Sequence, residues 1–261
     1  MNIYIISLLD AMIQKNMIVF SHLESVKSMK YFANPKLLTE QLSVVSGFYL
    51  SFLKQLKFLP LGAYKHNLNG QYNLEKAQTD NRAIIETIQK INENELKCDD
   101  MIPIHLRYSE KNNFHFVAGF VRMKDKKTGS FHLVDLFLPK DLIKSIPSNI
   151  SYVREVLDKY TKETKDCNYR NNQGSIVEFV TSQGYYYNKF LQDCKLYFGD
   201  TFYSFTLKRR MIEAANDIVF SEKSLKVIAF KNGFEGYKTM YKAFERYQIP
   251  LPDIPRLVYL S

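Results

Sequence analysis

Two segments of this chain, starting 49 residues apart, repeat one pattern that few folds accept. The first, IVEFVTSQGYYYNKFLQDCKLYFG at 176–199, gives a short apolar helix, a turn at Gly184, and a second helix with Phe190, Cys194 and Phe198 at i, i+4 and i+8. The second, LKVIAFKNGFEGYKTMYKAFERY at 225–247, gives Val227 and Ile228, a turn at Gly233, then Met240 and Phe244. Glycine suits such a turn because it reaches positive φ without a steric penalty. Apolar residues four apart share one helix face, so each second helix buries one side and leaves the other free. A free helix face of this kind fits the major groove of duplex DNA.

Between the two segments lies TFYSFTLKRRMIEAANDIVF, with helical periodicity through Phe205, Ile212, Ala215 and Ile218 and with no Pro or Gly. A helix from Thr201 to Val219 is predicted, roughly 28 Å long at 1.5 Å per residue. Two heads reading one face of B-DNA stand about 34 Å apart, so a rigid connector sets such a spacing without a dimer. Lys208, Arg209 and Arg210 lie on this connector as candidate phosphate contacts.

The formal charge of +9 favours an anionic partner, nucleic acid or membrane surface. The charge is spread out: residues 168–261 carry 13 Lys/Arg against 9 Asp/Glu. With 46% hydrophobic and 24% charged residues, a disordered or collagen-like chain is excluded. Cys98, Cys167 and Cys194 are odd in number and far apart, which argues against a disulfide framework or structural zinc and fits a reducing, cytoplasmic setting. The apolar opening MNIYIISLLDAMIQKNMIVF is broken by Asp10 and Lys15, so a strand or core helix is expected there rather than a signal peptide or membrane span.

Upstream, residues 36–57 place Leu38, Leu42, Val45, Phe48, Phe52 and Leu56 near one helical face, and 80–92 repeat the pattern with Ile84, Ile85, Ile88 and Ile91. HNLNGQYN, between them, reads as a polar connection. From Met101 the runs IPIHLRY, FHFVAGFVRM and SFHLVDLFL predict three antiparallel strands with mostly apolar faces, a sheet either covered on each side or enclosing a small cavity. A helix over about 149–162 and a polar linker at 161–175 follow. His22, His66, His105, His115 and His132 show no metal-ligand spacing, and no phosphate loop or nucleophile motif is present, so neither metal, cofactor nor active site is expected.

The second segment carries an IAxxxGF core as Ile228, Ala229, Gly233 and Phe234, followed by P-x-x-x-R as Pro252 and Arg256. On these residues, about 170–256 resemble the DNA-binding domain of the AraC/XylS family of transcription regulators. Three features depart from the family pattern: Ile249 stands where the family usually has Gly, Tyr185 to Tyr187 are unusually aromatic, and the first loop is one residue shorter. The elements read upstream define an α+β N-terminal domain (1–147; helices plus a small antiparallel sheet) for sensing or dimerisation, not recognisable as the β-rich cupin that often precedes this domain in the family. An all-α double helix-turn-helix domain (148–261) follows. The resemblance implies major-groove contacts from Asn188, Lys189 and Gln192 around Phe190, and from Tyr237, Lys238, Thr239, Tyr241 and Lys242 around Met240, with Arg209 and Arg210 on the backbone. Lys238, nearer the helix start, is the candidate for bases and Lys242 for phosphate. The expected partners are double-stranded DNA, RNA polymerase and an unidentified small-molecule effector, with no membrane, for a monomer or homodimer. Two alternatives are a helical adaptor that binds protein and a DNA-repair alkyltransferase with a similar reader. The latter needs a reactive cysteine in a zinc-binding cluster.

Overall fold

The computed structural model describes residues 3–23, 35–59, 64–73, 82–92, 101–125, 127–166 and 175–256. The protein is mixed α+β, with a four-stranded antiparallel sheet and a helical region. It divides into two compact units, residues 7–142 and residues 143–260 together with 1–6.

In the first unit the strands are β1 (Tyr64–Asn73), β2 (Met101–Glu110), β3 (Asn113–Met123) and β4 (Thr128–Pro139), in the order β1-β4-β3-β2. Alternation along β3 sends Phe116, Ala118 and Phe120 to one face and Val117 and Val121 to the other, and all five are buried. The turn into β4 is closed by Asp125, whose carboxylate accepts the backbone N–H of Lys127 and of Thr128, each at 2.7 Å.

Helix α1 (Ile3–Leu23), which belongs to this unit from Ser7 onward, is the core helix foreseen as one of two options for the opening segment. Helix α2 (Pro35–Gln55) buries Leu38, Leu42, Val45 and Phe52, with Leu56 buried just past its end, and packs on β3 and β4, while Phe48 is half-buried and stacks on Phe52 at 5.5 Å. Helix α3 (Arg82–Asn92) covers the other sheet face, joining Ile84, Ile85 and Ile88 to Val117, Val121, Phe131 and Leu133. Both faces are therefore covered, as their apolar character requires.

The sequence expectation errs at 64–73, read as a polar connection. This segment is the edge strand β1, paired with β4 from Tyr64↔Phe137 to Asn73↔Thr128. An edge strand needs one partner and one apolar row, and here Tyr72 and Leu68 supply that row. Gly70 belongs to it too: it faces Phe131 across the ladder, and a Cβ there would run into the Phe131 ring.

The second unit is helical: α4 (Tyr152–Asp166), α5 (Ile176–Ser182), α6 (Tyr187–Phe198), α7 (Phe202–Phe220), α8 (Leu225–Lys231) and α9 (Tyr237–Arg246). The first six residues of the predicted linker are helical, because α4 runs on to Asp166; residues 167–174 lie outside the described residues. Helix α4 is tied into the unit by Tyr152, which donates to Asp193 at 2.7 Å, and by Tyr160, whose ring meets Phe179 and Phe202 at 5.3 and 5.8 Å. Tyr4 also belongs here, its ring 5.6 Å from Phe198 and 5.7 Å from Phe205.

Candidate nucleic-acid interface

The two short-helix, turn, helix segments are built alike down to single hydrogen bonds. Ser175 caps α5 and Ser224 caps α8, each accepting the amide three residues on, and Ser175 forms a full capping box with Glu178. Both short helices span seven residues. Gly184 and Gly233 follow at φ 82° and 75°, the left-handed region that the turn demands. The next amide then reaches back five residues in each case, Tyr185 to the Val180 carbonyl and Phe234 to that of Ala229. From glycine to the next helix start is three residues in the first segment and four in the second, the shorter loop that the sequence indicates.

Each longer helix is then anchored by a buried pair one turn apart: Phe190 and Cys194 in α6, Met240 and Phe244 in α9. Helix α7 joins the two segments. It has 19 residues, with Thr201 as its cap, and buries Phe205, Ile212, Ala215 and Ile218 as the periodicity predicts. A buried polar knot locks α8 to it, with Asp217 accepting from Asn232 at 2.8 Å and from Lys231 at 2.7 Å. At the far end, α9 closes through Gln248 at φ 57°. The left-handed residue thus falls one place before Ile249, which is buried.

Of the residues singled out by sequence, Asn188, Lys189 and Gln192 on α6 and Tyr237, Lys238, Thr239, Tyr241 and Lys242 on α9 are all exposed. Lys189 is drawn along its helix to Asp193 at 2.5 Å. Two of the three connector cations have carboxylates within reach. Lys208 is buried and pairs with Asp200 at 2.6 Å. Arg209 pairs with Asp158 at 3.0 Å and with Glu213 at 3.6 Å, its side chain only 19% exposed. Arg210 donates to the Gly233 carbonyl at 3.2 Å and so braces the second turn.

The sequence reading missed an open notch of about 720 Å³ beside α9, lined by Lys226, Phe230, Glu235, Tyr237 and Lys238. Phe230 sits next to the buried Ile228–Ala229 pair but is itself 44% exposed. Tyr187 and Tyr203 share a hydrogen bond at 3.2 Å, which together with burial pushes the Tyr187 phenol to about 12.

Cys194 is fully buried, and burial pushes its thiol to about 12, so it is an inert core residue. Among the described residues no group of three or more His, Cys, Asp or Glu could hold a metal ion. In the first unit His115 is not isolated: its Nδ1 lies 2.9 Å from Asp135, and the Tyr108 ring stacks flat on it at 4.8 Å. Burial raises the Asp135 carboxyl, and the His115 hydrogen bond offsets only part of this. No helix among the described residues is long and apolar enough to cross a membrane.

Comparison of the chain with protein-family models, with curated proteins and with solved structures found no match in any of the three.

Proposed function

We propose that residues 143–260 are a double helix-turn-helix reader of the AraC/XylS type and that the protein is a sequence-specific DNA-binding transcription regulator. One observation carries the reading. The outer faces of α6 and α9 hold polar and basic side chains directly opposite buried anchors at matching positions. A 19-residue helix, about 28 Å long, spaces the two. Asn188, Gln192, Lys238, Thr239 and Lys242 are the groove-facing residues, and Tyr237 and Tyr241 flank them. Arg209, held by Asp158 and Glu213, is left out of the interface. The first unit serves as the sensor or dimerisation half, with a small-molecule effector and RNA polymerase as further partners. The protein is proposed to work in the cytoplasm as a monomer or homodimer, without cofactor or catalytic activity.

The test is a mobility-shift assay of the full chain against genomic fragments across a salt series. Each phosphate contact releases counterions, so the logarithm of affinity falls linearly with the logarithm of salt. Binding that is absent at low salt, or that ignores salt, overturns the reading.

A second reading, an adaptor that binds protein, draws on the exposed apolar side chains around the notch: Val227, Phe230, Tyr237 and Tyr241. If Lys238→Ala with Lys242→Ala leaves DNA binding unchanged while Phe230→Ser abolishes capture of a protein ligand, this reading takes precedence.

A further inference from the structure

We infer that the two reading helices take different bases at equivalent positions, α6 presenting an amide to adenine and α9 an ammonium to guanine. The inference rests on the DNA reading proposed above and deepens it to the composition of the site.

Aligned on their buried anchors, Phe190 with Met240 and Cys194 with Phe244, the helices match residue for residue. Asn188 then corresponds to Lys238, Lys189 to Thr239, and Gln192 to Lys242. At 100° per residue, Asn188 and Lys238 each stand about 160° round from their first anchor, and Gln192 and Lys242 about the same on the other side. All four are exposed and occupy the middle of the outer face.

Their chemistry differs in kind. An Asn or Gln amide offers one acceptor and a pair of donors in one plane, while a Lys ammonium offers donors alone. In the major groove adenine shows an N6–H donor beside the N7 acceptor, whereas guanine shows two acceptors, O6 and N7. The amide therefore complements adenine, and before guanine its carbonyl would face another acceptor. The ammonium complements guanine, and before adenine it would face another donor. Of the two cations on α6, Lys189 is held by Asp193 and Lys195 lies in the last turn, about two turns beyond Asn188. Thr239, the counterpart of Lys189, with a hydroxyl that both donates and accepts, tolerates either base. The preferred site is thus asymmetric, with adenine under α6 and guanine under α9, about one helical turn or ten base pairs away.

The experiment is selection of bound duplexes from a random pool by the full chain at low salt, followed by sequencing. The parent should enrich adenine at one position and guanine about ten base pairs from it, the wrong base at either lowering affinity about tenfold. Asn188→Lys should turn the adenine position to guanine and leave the other unchanged; Lys238→Asn should do the converse. Both residues are exposed, so both variants should keep the parent's melting temperature. Variants that select the parent's sites, or parent sites without this adenine and guanine pair, overturn the base assignment alone. A parent that binds no duplex at low salt overturns the DNA reading with it.

Discussion

Tyr152 donates its hydroxyl to a carboxylate that is almost wholly out of water, and removing that hydroxyl isolates one term in the stability of the second unit. Asp193 is 1% exposed, with one oxygen taking the Tyr152 hydroxyl at 2.7 Å and the other the Lys189 ammonium at 2.5 Å. Tyr152→Phe keeps the ring and its stack on Tyr185 at 4.3 Å but leaves one buried carboxylate oxygen unpaired. A hydrogen bond to a charged group is worth about 1.5–3 kcal/mol. For a unit of this size that corresponds to a fall in melting temperature of roughly 6–12 °C.

The loss should also depend on pH. Burial works to raise the Asp193 carboxyl, but the hydrogen bonds from Lys189 and Tyr152 outweigh it and hold the group below its ordinary value. A folded pKa below the unfolded one gives stability that is fully present above about pH 4 and disappears as pH falls through the folded value. Differential calorimetry of parent and variant should therefore show the full difference near pH 7 and a shrinking one below about pH 4. A variant as stable as the parent at pH 7, or a deficit that does not change with pH, refutes the reasoning.

Phe244→Ala should destabilise the second unit by about 3–5 kcal/mol, whereas Phe230→Ala, at a residue 44% exposed, should cost far less; equal melting curves for the two variants would contradict the packing. Residues 168–261 alone lack Tyr152, Asp158 and Tyr160, so this fragment should melt well below residues 143–261, and circular dichroism showing identical cooperative melts would count against α4 as part of the unit. Gln248→Gly should raise stability by about 0.5–1 kcal/mol, because a left-handed L-residue costs about 1–2 kcal/mol and glycine returns part of that through unfolded-chain entropy; a lower urea midpoint would disprove it.

What the sequence made legible follows the strength of its periodic signal. The helices around Phe190, Ile212 and Phe244 were read correctly because their apolar residues recur at helical spacing and are buried in the structure. The central strands β3 and β4 were read because both their faces are apolar, and edge strand β2 because Ile102, Ile104, Leu106 and Tyr108 alternate along one face. Strand β1 escaped because Gly70 interrupts its apolar row of Leu68 and Tyr72 and Asn and Gln surround it, so HNLNGQYN carries the composition of a turn. The candidate interface divides along the same line. Outward positions on α6 and α9 follow from the buried anchors, and eight of them are exposed as expected. The pairing of Arg209 with Asp158 spans 51 residues, and no local pattern announces a contact at that separation.

Helix α7 has one more consequence, for how such a chain evolves. With 19 residues and neither proline nor glycine among them, it changes length only in whole residues. Each inserted residue adds about 1.5 Å but turns everything beyond it through about 100°. A single insertion or deletion would swing one segment round the helix axis and tear Asp217 from Asn232 or Lys208 from Asp200. Variation by length is closed to this connector. Descendants of this sequence can diversify by substitution on the outer faces of α6 and α9, one face at a time, while the interval between them is inherited unchanged.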